Sequence, residues 1–163
     1  MATIAWVKVQ GQDEFNQLSR RLKEAGRGDL QRKLVRSVRQ EGQPALAAVQ
    51  RKFRGVHVTT TPSRGGGGST NLRGRIAAAT KIQVTARGIR IRTVGKQVGE
   101  YGNTLAQGVN ATGVWKHPVF GNRRAWVTQR GQEVFDPTLR GFESRWRAGI
   151  VRVMEEVARE IEG

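Results

Sequence analysis

Residues 112–161 read TGVWKHPVFGNRRAWVTQRGQEVFDPTLRGFESRWRAGIVRVMEEVAREI, and the fold is decided by how this stretch ends. Phe142, Trp146, Ile150, Val153, Val157 and Ile161 recur at gaps of three or four, the spacing that puts side chains on one stripe of an α-helix. That stripe predicts a buried C-terminal helix. Asp136-Pro137 reads as its start: the Asp136 carboxylate suits an N-cap, and proline suits the first helical position, having no N–H to leave unpaired. Gly141 and Gly149 each cost about 1 kcal/mol of helix propensity relative to alanine, so packing must hold the helix, and a glycine on it can admit a close neighbour.

Ahead of that helix, Trp115, Pro118, Phe120, Trp126, Val127, Val134 and Phe135 alternate with Gly121-Asn122, Arg123-Arg124 and Gly131. This is the pattern of short strands and turns laid over a helix. Trp115, Phe120, Trp126, Phe135, Phe142, Trp146, Ile150, Val153 and Val157 are therefore the expected core, with a partner-binding edge as the other reading of the aromatic segment.

Upstream, Ala5, Val7 and Val9 alternate weakly within residues 3–10 and predict a short strand. Asp13 opens an amphipathic helix with Phe15, Leu18, Leu22 and Ala25 on one side, stopped by Gly26 and Gly28. A longer helix runs from Asp29 with Leu30, Leu34, Val38, Ala45, Val49 and Phe53 on a common side, ending at Gly55. Gly42 and Pro44 are expected to kink or divide it, since proline removes a backbone bond and crowds the preceding turn. Arg32, Arg36 and Arg39 share another face, either solvated or contacting a subunit or nucleic acid.

Residues 56–70 include TTTPSRGGGGS, with almost nothing to bury, and predict a flexible loop. The run is no phosphate-binding loop, because no lysine precedes Ser69-Thr70. Ile82 and Val84, then Ile89 and Ile91, alternate around Ala86-Arg87-Gly88 and predict a hairpin with a basic opposite face. Residues 95–112 read as a second glycine-rich loop. The expected fold is α+β in a single domain: a small antiparallel sheet with two to three helices, one long and kinked and one C-terminal, plus two long loops.

The chain has 163 residues, 29 Lys and Arg against 13 Asp and Glu, 21 glycines and no cysteine. Residues 1–55 carry +7, residues 56–110 carry +7 and residues 111–163 carry +2, from 12 basic and 5 acidic, 8 and 1, and 9 and 7 side chains. Such a surface seeks phosphates or an acidic protein face. With no cysteine, a disulfide framework and a thiolate metal site are excluded. No signal peptide or membrane span is legible, so a soluble product is expected.

Catalytic chemistry is not legible either. His57 and His117 lack a second ligand at metal spacing, and no nucleophile–base or paired-carboxylate arrangement stands out among Glu133, Asp136 and Glu143. The sequence predicts no enzyme, no metal and no cofactor. Glu155, Glu156, Glu160 and Glu162 gather at a helix C-terminus, where the dipole disfavours acids, so a basic neighbour is expected.

The order of elements resembles the tail-component, or tail-completion, family of long-tailed bacteriophages, which acts at the neck where capsid and tail join. That family places a Thr-Gly-x-Leu-Arg-x-Ser-Ile element after a long helix, matched here by the one-residue-shorter Thr70-Asn71-Leu72-Arg73-Gly74-Arg75-Ile76, with Asn71 for the usual glycine and Arg75 for the usual serine. The block from Lys116 to Pro137 is similar to the form found in phages of actinobacterial hosts. The resemblance runs from about Asp13 to the end. It implies a tail-terminator-like fold and a structural virion subunit forming a hexameric ring, with a connector or stopper on one side and the tail tube or terminator on the other. On that reading Arg73, Arg75, Arg87, Arg90 and Arg92 face the lumen, its DNA, or an acidic neighbouring ring. The two rival readings are a tail terminator capping the tube and a stand-alone basic nucleic-acid-binding module.

Overall fold

The computed structural model describes residues 12–57, 71–85, 88–99, 101–119 and 122–162, and the expected strand at residues 3–10 and most of the expected loop at 56–70 lie outside them. The fold is α+β, with helices predominating and two separate antiparallel hairpins where one small sheet was expected.

Helix α1 (Gln12–Glu24) has Asp13 and Glu14 in its first turn and Arg21 and Lys23 in its last, the charge order that the helix dipole favours. It buries Phe15 and Leu22, while Ala25 is exposed. Gly26 takes φ +70°, and the Arg27 N–H reaches back to the Leu22 carbonyl at 2.9 Å. That closes the helix with a left-handed glycine and turns the chain into α2.

The expected long helix is divided into two, α2 (Gly28–Glu41) and α3 (Gln43–Gly55). Pro44 falls in the first turn of α3, where a missing N–H costs nothing. Gly42 marks the break at a crowded crossing: a Cβ there would lie 2.8 Å from Ile82 Cδ1 and 2.9 Å from Trp146 Cζ2. Leu30, Leu34 and Val38 of α2 and Ala45, Val49 and Phe53 of α3 are all buried, as their spacing predicts.

Helix α4 (Leu72–Ala79) leads directly into β1 (Thr80–Thr85), which pairs antiparallel with β2 (Gly88–Thr93). Ile82 lies opposite Ile91 and Val84 opposite Ile89 on the core side; Lys81 faces Arg92 and Gln83 faces Arg90 on the other. At the base of the hairpin the buried hydroxyls of Thr80 and Thr93 are 2.8 Å apart, and Thr80 Oγ1 donates to the Ile76 carbonyl at 2.8 Å. Their polar groups are thereby satisfied inside the core.

The expected second loop is instead helical: α5 (Gly95–Val98) and α6 (Gly102–Asn110) bury Val98, Ala106 and Val109. Glycine lowers helix propensity, but here it permits contact, since a Cβ on Gly102 would collide with the Gly95 carbonyl and Val98. Packing of α5 on α6 overrides the local preference.

Strands β3 (Val114–Val119) and β4 (Asn122–Arg130) form the second hairpin. The C-terminal helix is likewise two pieces, α7 (Phe135–Arg140) and α8 (Glu143–Glu162), separated at Gly141-Phe142. Asp136 does not cap α7. It lies inside the helix and pairs with Arg140 one turn on, while Asn110 Oδ1 accepts hydrogen bonds from the N–H groups of Val134 and Phe135.

The core closes where α8 meets α2 and where α3 meets α4 and α7. Phe53 and Phe135 contact edge-to-face at a centroid distance of 5.3 Å. Trp146, Ile150, Val153 and Val157 are buried as expected, Phe142 is half-buried, and Ile161 is exposed, contrary to the predicted stripe. Glu41 lies over Gly149, the close neighbour that glycine admits.

Candidate interaction surfaces

The residues singled out as a basic lumen set separate into two kinds. Arg73, half-buried, donates to the Val56 carbonyl at 2.6 Å, and Arg75 donates to the Val98 carbonyl. Both guanidiniums are thus engaged with the protein's own backbone, tying α4 to the end of α3 and to α5. Arg75 is nonetheless exposed, so its bond adds a structural role to the expected partner-facing one. The second kind sits on the β1–β2 hairpin, where Arg90 and Arg92 are half-buried on the polar side and Arg90 Nε donates to Gln83 Oε1 at 2.9 Å. Lys81 on the same side is exposed. Arg87 lies outside the described residues.

The turn that begins α4 has one unusual residue. Asn71 adopts φ 48° and ψ 34°, and among the described residues no other non-glycine residue has positive φ. Asparagine tolerates this left-handed region better than other side chains because its short amide can bond locally. The side chain lies over Gly74, where a Cβ would collide with it.

On the second hairpin the aromatic residues separate by strand parity. Trp115 and His117 stack at 4.5 Å on the inner side, and His117 Nε2 and Gln129 Oε1 are 3.1 Å apart in a hydrogen bond. Trp115 is half-buried over Gly108 of α6, where a Cβ would collide with the indole. Trp126, expected in the core, points the other way and is 59% exposed. Phe120 lies outside the described residues. Residues 124, 126, 128 and 130 all lie on the exposed side, and that parity was available from the sequence once Val127 was placed inward.

Two ion pairs of opposite sense join α8 to α2. Glu160 pairs with Lys33, and Arg152 bonds Glu41 at 3.0 Å. The first pair answers the acidic C-terminus that the sequence left uncompensated. Arg32, Arg36 and Arg39 are exposed along α2.

A groove of about 630 Å³ lies between the end of α3 and α7, with Val56, Val134 and Phe142 as its apolar lining and Arg51, Lys52 and Glu133 among its polar lining residues. His57 is exposed, and among the described residues no group of three or more His, Asp or Glu is placed to hold a metal ion. No helix among them is long and apolar enough to cross a membrane. No family model, curated protein or solved structure matches this chain.

Proposed function

We propose that this protein is a structural, non-catalytic virion subunit at the head-to-tail neck of a long-tailed phage, forming a ring that joins the capsid connector to the tail tube. The observation that carries the reading is the place of the Leu72-Arg73 element, which forms a helix, α4, running straight into the basic hairpin β1–β2. The tail-completion family that the sequence resembles likewise places its Leu-Arg element after a long helical segment, here α2 and α3. The α+β fold and the basic side of β1–β2 support the same reading.

Deleting the gene from its phage tests it. The expected outcome is DNA-filled heads and separate tails of normal length that fail to join, with joining restored by the purified protein. Tails of uncontrolled length would favour the capping role of a terminator. Normal infectious particles would overturn the neck assignment altogether.

A further inference from the structure

Among the described residues, the large apolar side chains most exposed to solvent fall on two elements: Val114 (63%) and Trp126 (59%) on the β3–β4 hairpin, Val151 (42%) and Ile161 (44%) on α8. On the hairpin the register pairs Val114 with Arg130, Lys116 with Thr128 and Pro118 with Trp126, and Val114, Lys116, Trp126, Thr128 and Arg130 are exposed on the outward face. Residues 114–130 contain four basic side chains and no acid. On α8, at 100° per residue, Val151, Met154, Glu155, Ala158 and Ile161 fall within an arc of about 120° beside the buried stripe. Glu155 is exposed between the two apolar ends.

The two patterns are similar in length. The Val114 and Trp126 positions are four residues apart along the hairpin, about 13 Å, and Val151 and Ile161 are ten residues apart along the helix, about 15 Å. Lys116 stands about 7 Å from either apolar end of its face, and Glu155 about 6 Å from Val151. One surface reads apolar, basic, apolar; the other reads apolar, acidic, apolar.

We propose that these surfaces are the two halves of one contact between copies of this chain, the hairpin face of one subunit lying along the α8 flank of the next with Lys116 against Glu155. The proposal rests on the ring-subunit reading and names the contact that would build the ring. The hairpin is seated on α6 and α8 on α2, so each subunit offers one half of each kind. A contact of that type runs head to tail and closes into a ring when its rotation permits. Tryptophan and arginine in the hairpin half are the residue types that dominate association energy. A nucleic-acid strand fits less well: it would meet the cations but leave Val151 and Ile161 in water, and the face offers a single tryptophan where a strand stacks on successive aromatics.

The test is sedimentation of the purified full chain across a concentration series, comparing wild type with Lys116→Glu, Glu155→Lys and the double variant. Both positions are exposed, and an unchanged melting temperature shows that each variant folds. Wild type is expected to multimerise, each single reversal to weaken association roughly tenfold, and the double reversal to restore it. A wild type that stays monomeric, or a double variant that is not rescued, would overturn the contact. Multimers that survive both single reversals would also overturn it while leaving the ring reading intact. Loss of single-stranded oligonucleotide binding in Lys116→Glu, with multimers unchanged, would assign the face to nucleic acid instead. A protein that assembles as described but is missing from virions would sink the neck assignment and not the contact.

Discussion

Asn110, the last residue of α6, caps α7 from 25 residues away: its Oδ1 accepts the Phe135 N–H at 3.0 Å and the Val134 N–H at 2.8 Å. Two N–H groups at the start of that helix are satisfied by a side chain from another element, which fixes α7 and Phe135 against Phe53. Asn110→Ala is expected to lower stability by about 1–2 kcal/mol in denaturant unfolding. Asp136→Ala, which removes only an exposed pair with Arg140, is expected to cost about 0.5 kcal/mol or less. The reverse ranking would restore Asp136 as the cap.

Two of the three tryptophans expected in one core should respond oppositely. Trp146 is buried and its Nε1–H has no acceptor among the described residues, so Trp146→Ala should cost about 3–5 kcal/mol, with Trp146→Phe much milder because no hydrogen bond to them is lost. Trp126→Ala should leave the unfolding midpoint within about 0.5 kcal/mol of wild type and act on association. Urea unfolding of the three variants checks the set, and a large loss in Trp126→Ala would place that side chain in the fold's interior.

Asn71 gives a conformational test. Asn71→Val forces a β-branched side chain into the left-handed region and should cost about 1–2 kcal/mol, whereas Asn71→Gly should lie closer to wild type. Thermal melts compare them directly, and equal losses would mean that the turn is not left-handed in solution.

At Gly42 there is no room for a methyl group between Ile82 and Trp146. Gly42→Ala should cost about 1–3 kcal/mol through overpacking, although alanine has the better helix propensity. A stabilised Gly42→Ala protein would mean that α2 and α3 can merge into one helix.

Much of this architecture is legible in local pattern. Phe15 and Leu22, the run Leu30-Leu34-Val38, the division at Gly42-Pro44 and the Ile82–Ile91 hairpin follow from periodicity and turn chemistry, because in each the buried side belongs to one continuous element. Residues 95–112 are not legible, since Gly95, Gly102 and Gly108 lower helix propensity locally and are useful only through the neighbours they admit. Asp136 misleads because an acid before proline is a good local cap, while Asn110 wins from across the fold. Arg73 and Arg75 show the same limit: composition counts their charge, and only the tertiary structure shows it bonded to the Val56 and Val98 carbonyls. The interaction surfaces are legible only in part, since exposure of Trp126 follows from strand parity but that of Ile161 depends on where α8 ends against α2.

The most direct test of a ring at the neck is averaged electron microscopy of purified virions in which this chain carries a fused density marker. The account predicts marker density encircling the axis at the collar, between the capsid connector and the first tail-tube ring. Density confined to the tail tip or capsid shell, or particles with no marker at all, would contradict it.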